Sequence, residues 1–337
     1  MRSHCHALIA ALSILATAVS APAQHLADGP TNDSVLLPPQ MFDHSAKGPN
    51  HTREPSGEWS IWGGICLVQP AFGTNPAFLV NNGNVSRHVD FSQNLDVAPI
   101  VGLGYTSERG WGVRGRWFLF DHGSSESYAT VSGETITGIS SFAAARPPID
   151  GTISASSNLA VNVLDFEATC TYDGPKWLHL VGFGVRYAHM SQDYRATLAN
   201  GGTRIDLTSG HNLNGAGPLF SLETKRRVGE SGFALYGQLH GAILFGNARE
   251  MQFAVNNGVP FEFAREETRV MPVGELEVGA EYERNMGRAH LFVQAGFVGQ
   301  IWWNGGNSSN LDAGGFTSAT NSNFGFIGLA LRAGVRY

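Results

Sequence analysis

Four glutamates in one stretch, Glu275, Glu277, Glu281 and Glu283, share a period of two. On an extended chain they therefore project from a single face. The same phase argument groups Arg114 with Arg116, Asp165 with Glu167, and Glu223 with Lys225, and it adds Arg186, Arg332 and Arg336 from other stretches. Each such charge would cost several kcal/mol in hydrocarbon. A face that carries them must meet water or carry its own counter-charges. Two chemistries fit: a polarised constriction that sorts small solutes by charge, or a salt-bridge network that fills an enclosed space. A hydrolytic set is also conceivable in His189, Ser191 and Asp193, which are in phase. Residues two apart on one strand seldom reach triad geometry, so an outer polar rim is the plainer reading and no catalytic residue is expected. His240 shares the charged phase as a space filler. The Gly102-Leu103-Gly104 fragment lacks the third glycine and the following helix of a dinucleotide site. No metal site and no cofactor are expected, because the thiols lack metal-ligand spacing.

The charged phase is interleaved with an apolar one. Residues 326–337 read FIGLALRAGVRY, with Ile327, Leu329, Leu331, Ala333, Val335 and Tyr337 alternating against small or cationic residues. Comparable two-faced strands are predicted at 59–68, 95–105, 111–120, 161–172, 177–189, 214–226, 233–245, 269–284 and 289–303. Short connections at 106–110, 173–176, 228–231 and 285–287 carry the Gly, Pro, Asn or Asp of tight turns. Long connections at 69–94, 121–160, 190–213, 246–268 and 304–323 alternate with them. Beside the short turns, on the apolar phase, stand Trp59, Tyr105, Trp111, Tyr172, Trp177, Phe233, Tyr282 and Tyr337. Such rings prefer a membrane interface. Alternating loop lengths, an even strand number and an aromatic girdle predict an all-β, antiparallel up-and-down transmembrane β-barrel of about ten strands, with eight or twelve as the alternatives.

Composition agrees. The 337 residues are 42% hydrophobic and only 15% charged, with 42 glycines, which suits many strands, tight turns and small lumen-facing residues. The net charge of −6 gives no electrostatic footprint for nucleic acid. Residues 1–23 read as a cleavable signal peptide, with Arg2, an apolar run and Ala21-Pro22-Ala23. Residues 24–57 read as a disordered periplasmic leader, and the barrel as 58–337. No run beyond the signal approaches the length of a membrane helix. Cys66 falls on the inward phase and Cys170 on the outward one, so they are not expected to pair, and both are expected to remain free thiols.

The segments VLDFEATCTY (163–172), VGFGVRYAHMSQDY (181–194), GRWFLFDH (115–122) and GLALRAGVRY (328–337) resemble the Legionella-type major outer membrane protein family, a branch of which occurs in planctomycete-like bacteria. The resemblance covers residues 58–337 in patches. It implies a pore-forming barrel of the cell outer membrane and no enzymatic residues. Under this reading the pore-lining candidates are Arg114, Arg116, Asp165, Glu167, Arg186, Glu223, Glu275, Glu277, Glu281 and Arg332. The expected function is passive diffusion of ions or small solutes through a narrow charged lumen. The alternative is a non-conducting structural or adhesive barrel that acts through its outer loops, one of which could fold into the lumen. Expected partners are outer-membrane lipid, small solutes or ions, and the barrel-assembly machinery through the C-terminal strand.

Overall fold

The computed structural model describes residues 57–140, 147–309 and 323–337. The predicted signal peptide and nearly all of the predicted leader lie outside these residues. The chain runs β1 (Glu58–Phe72), β2 (Pro76–Asn81), β3 (Ser86–Asp90), β4 (Asp96–Thr106), β5 (Trp111–Ala129), β6 (Thr135–Gly138), β7 (Thr152–Asp173), β8 (Trp177–Asn200), β9 (Thr203–Val228), β10 (Phe233–Asn256), β11 (Val259–Met286), β12 (Ala289–Trp302) and β13 (Phe324–Arg336). Ten of these form a closed barrel in the order β1-β13-β12-β11-β10-β9-β8-β7-β5-β4, while β3, β2 and β6 make a separate three-stranded sheet. All barrel pairings are antiparallel, and β1 closes the barrel by pairing with both β13 and β4. The ten expected strands and the four short turns are all present. Glycines with positive φ serve three of those turns, Gly110, Gly229 with Gly232, and Gly287, where a side chain would be strained.

The strands differ from expectation in length. Segments 190–213 and 246–268, expected as long loops, are continuous sheet: β8 pairs β9 up to Asn200↔Thr203, and β10 pairs β11 up to Asn256↔Val259. The latter hairpin turns on Asn257-Gly258, with φ of 49° and 84°, the two positive angles of a primed turn that matches strand twist. A strand needs about 9–11 residues to cross a bilayer. At 28 residues, β11 runs far beyond it, as do β5 and β7 to β10.

The extension was hidden because the polarity of the two faces exchanges partway along each strand. In the lower part of β8, Phe183, Val185 and Tyr187 are exposed and Arg186 is buried. Higher up, His189, Ser191, Asp193, Arg195 and Thr197 take the outward positions, and Ala188, Met190, Tyr194, Ala196 and Leu198 are buried. The outside changes from greasy to polar where it leaves lipid. The inside changes from ionic to apolar over the same step, where a water-facing exterior lets the apolar side chains pack inward.

The apolar upper interior is occupied. Ala77, Phe78 and Val80 of β2 and Ile136 of β6 are buried against Ile153, Ala155, Tyr194, Ala196, Leu198, Ile205, Leu207 and Ala254. Tyr194 clamps two of the covering segments: its hydroxyl donates to the Ala77 carbonyl at 2.8 Å and accepts from the Ile139 amide at 3.1 Å. A third segment, after β12, joins through Asn307, whose Nδ2 donates to the Thr74 carbonyl at 2.6 Å, and Ser308, whose amide donates to Gln192 Oε1 at 3.0 Å. The alternative in which a loop folds inward fits the described parts of three connections.

Cys66 is a buried, inward, free thiol, and Cys170 is on the outer face of β7. The two do not pair. Among the described residues only Cys66 is a free thiol, so the expectation that both stay free holds for Cys66 alone.

Candidate functional site

All ten pore-lining candidates point into the barrel, and hydrogen bonds and ion pairs tie them into three groups. Arg116 pairs in register with Asp165, which pairs with Arg186. Arg186 Nε donates to Asp165 Oδ1 at 2.7 Å, and Arg116 Nε donates to Asp165 Oδ2 at 2.9 Å. Arg116 then reaches across the lumen. Its Nη1 and Nη2 donate to Glu275 Oε1 and Oε2 at 2.5 and 2.9 Å, a two-pronged match of fork to carboxylate. In the order of the ten strands, β5 and β11 are diametrically opposed, so this pair bars the barrel from wall to wall. The guanidinium of Arg186 also approaches Glu275, at 3.7 Å.

Below this bar the pairing continues. Arg114 donates to Glu167 at 2.9 Å and to Glu223 at 3.2 Å, and the Ser221 hydroxyl donates to Glu167 at 2.5 Å. Arg332 holds Glu277 with both terminal nitrogens, at 2.9 and 2.5 Å, and lies over the Trp62 ring. Lys225 donates to Glu281 at 2.8 Å and lies 3.2 Å from Glu223. Arg336 Nη1 donates to Glu283 at 2.6 Å. Arg186 is 0% exposed and Glu277 1%, so the deepest of these charges see one another rather than solvent. Pairing at such depth offsets desolvation without adding much net stability, but the loss of one partner leaves the other exposed to the full penalty. Tyr236, which donates to Glu277 at 2.6 Å, and Gln294, which donates to Glu281 at 2.6 Å, also belong to these groups. Both lie in the phase of residues already singled out, Tyr236 with His240 and Gln294 opposite Glu281, and that parity was the signal for them. His240 is buried with Nδ1 3.6 Å from Glu275.

Above the ionic layer the interior is lined by buried apolar groups from every wall. Phe326 meets Phe120 edge-on at 4.7 Å between centroids and Phe118 at 6.3 Å, and Trp302 stacks on Phe324 at 5.7 Å. Higher still, above the lipid-facing band, is a small polar layer. His211 is 0% exposed, with Nε2 3.1 Å from the Gly305 carbonyl. Its Nδ1 is 4.0 Å from Glu250 Oε1, and neither atom has a hydrogen-bond partner. Burial, followed by the nearby Arg269 cation, pulls His211 down to about 4, and burial raises Glu250. The two are therefore a neutral imidazole beside a reluctant carboxylate, not an ion pair.

The girdle residues Trp59, Tyr105, Trp111, Tyr172, Trp177, Phe233, Tyr282 and Tyr337 all face outward at the short-turn end. Trp59 and Tyr105 are cross-strand partners with centroids 5.0 Å apart, Phe233 and Tyr282 likewise at 4.8 Å. The Arg226 guanidinium lies over the Trp177 ring. Trp59 and Tyr337 exchange two backbone hydrogen bonds of 2.8 Å, which seals the first strand to the last. His189, Ser191 and Asp193 project outward from β8, and His189 Nδ1 lies 2.6 Å from Asn214 Oδ1 on the neighbouring strand, not against Ser191.

A closed antiparallel barrel with a greasy exterior band, an aromatic girdle and its ionised groups turned inward is an outer-membrane β-barrel protein. The chain belongs to the family of the Legionella pneumophila major outer membrane protein precursor, whose model matches residues 55–336. None of the curated proteins matches the sequence. Among solved structures, the chain is similar to the outer membrane protease OmpT of Escherichia coli, with 10% identity, 83% of this chain and 96% of that one covered, and a TM-score of 0.44. It is also similar to the attachment invasion locus protein Ail of Yersinia pestis, with 13% identity, 84% and 99% coverage and a TM-score of 0.23. A FadL homologue of Pseudomonas aeruginosa follows, with 6% identity, 84% and 90% coverage and a TM-score of 0.26. These likenesses are too distant to say anything of this chain's activity.

Proposed function

We propose that the protein is an outer-membrane barrel whose lumen is closed at rest, and that it acts through the tall outer structure it holds above the membrane. The Arg116–Glu275 pair between opposed strands carries this reading. Apolar contacts and an inward-folded sheet above the pair support it. The porin-like reading, diffusion of ions or small solutes through a narrow charged lumen, is the second. What favours it is that the wall is ionic: a permanent seal could be built from apolar side chains at no loss of stability. Planar-bilayer recording separates the two. The unmodified protein should be electrically silent, and Arg116→Ala with Glu275→Ala should remain silent too if the apolar layer seals independently. Stepwise currents from the unmodified protein, altered in ion preference by Glu275→Gln, would establish the porin reading instead.

A further inference from the structure

Where the strands leave the lipid, the outward face carries a continuous polar rung. Asn162 of β7 pairs in register with His189 of β8, His189 with Asn214 of β9, Asn214 with Asn247 of β10, and Asn247 with Thr268 of β11. The rung directly beneath is Leu164, Tyr187, Ala216, Phe245 and Val270, all from the lipid-facing face. Five adjacent strands thus change together, in one step of two residues, from apolar to hydrogen-bonding side chains.

The two rungs are tied to each other. Trp117 Nε1 donates to Asn162 Oδ1 at 2.9 Å, and the Tyr187 hydroxyl donates to Asn214 Oδ1 at 3.4 Å. On the upper rung His189 Nδ1 lies 2.6 Å from Asn214 Oδ1, and Thr268 donates to Asn247 at 3.5 Å. The amide oxygens are thereby used from within the protein, and among the described residues no hydrogen bond takes up the amide N–H groups of Asn162, Asn214 and Asn247. Because barrel strands tilt, the rung climbs across the wall. It stands ten residues above the girdle at Tyr172 on β7 and fourteen above Tyr282 on β11. It therefore crosses the head-group layer obliquely, starting at the acyl boundary.

The rung has no lysine or arginine. One step higher, Arg249 lies opposite Glu266 in register, so that cation has an acid beside it. A phosphate-seeking surface would carry unpaired cations. Aligned neutral amides, a hydroxyl and an imidazole, underlined by Trp117, Tyr187 and Phe245, instead suit a polyhydroxylated group that offers oxygens to donors and a C–H face to rings. We infer that this rung is a binding ledge for the neutral sugar head group of a glycolipid in the surrounding leaflet, continuous with the acyl-facing surface below it.

The test uses the full-length protein in phosphatidylcholine vesicles that contain a minor fraction of either digalactosyldiacylglycerol or phosphatidylglycerol, followed by quantification of the lipids retained after detergent extraction. The galactolipid should be enriched over both phospholipids. Replacing Asn162, Asn214 and Asn247 together by Leu should abolish the enrichment, with heat-modifiable gel migration reporting that the barrel is intact. Asn214→Ala alone should lower retention about fivefold, the change made by one net hydrogen bond, and it serves if the triple variant does not fold. Equal retention by the unmodified protein and a folded variant overturns the inference, as does preference for phosphatidylglycerol, which would assign the ledge to phosphate.

Discussion

Glu275 is the residue on which most of the lumen converges, since Arg116 grips it and Arg186 and His240 lie near. Removing one partner of a buried pair strands the other. Glu275→Ala is thus expected to cost about 3–5 kcal/mol, read as a lower urea midpoint for unfolding from lipid. Replacing both Arg116 and Glu275 by well-fitting apolar residues should restore most of that loss. If the double variant is as unstable as the single one, the penalty does not come from an orphaned charge. His211 supplies a pH dependence of calculable sign. Its folded value of about 4 lies below the ordinary 6.5. The unfolded chain therefore binds the extra proton first, and stability present at neutral pH is lost as pH falls from about 6.5 towards 4. For His211 alone the loss approaches 3 kcal/mol. Glu250, raised by burial, opposes it by taking up a proton in the folded state. Protection factors of the amides in the upper halves of β9 and β10, which remove the pH dependence of intrinsic exchange, should be lower at pH 5 than at pH 7, and His211→Asn should remove most of that difference.

At the scale of elements, the transmembrane strands and their short turns were legible in the sequence, because lipid imposes an apolar alternation that aromatic rings border at the turns. Trp111, Tyr172, Trp177 and Tyr282 marked the lower border for the same reason. The upper halves of β8 to β11 were not legible, because the alternation there changes sign. Ser191, Asp193 and Arg195 sit where greasy residues sat lower down, and a reader who follows the apolar phase alone sees it stop. Two signals were available: the apolar set Met190, Tyr194, Ala196 and Leu198 in the opposite phase, and the dipeptide Asn257-Gly258, which demands a two-residue hairpin. Gly258→Val puts a β-branched residue at φ 84° and should destabilise that tip by a few kcal/mol. Limited proteolysis should then cut near residue 257, while heat-modifiable migration of the core barrel is unchanged. If the barrel itself is lost, the hairpin is part of its folding nucleus rather than an appendage.

For the molecule as a whole, the inward folding of β2 depends on the pairing of chain segments far apart in sequence, which neither composition nor local phase encodes. Phe78, 1% exposed, is the largest side chain this segment buries. Phe78→Ala should cost about 3–5 kcal/mol of the outer structure's stability and render 73–95 accessible to protease in whole cells. Resistance equal to that of the unmodified protein would mean that β2 is held by its neighbours' hydrogen bonds alone.

The wall above the membrane is uneven. On one side β5 and β7 to β11 rise high, whereas β12, β13, β1 and β4 end near Trp302, Phe324, Phe72 and Asp96. The upper structure is therefore a screen rather than a tube, with its backbone hydrogen bonds continuous around the tall side and interrupted on the low one. Among the described residues, the sheet of β3, β2 and β6 leans on the tall side, where β2 packs against side chains of β7 to β10. The load of that sheet is thus carried by one arc of the rim and not shared evenly around it.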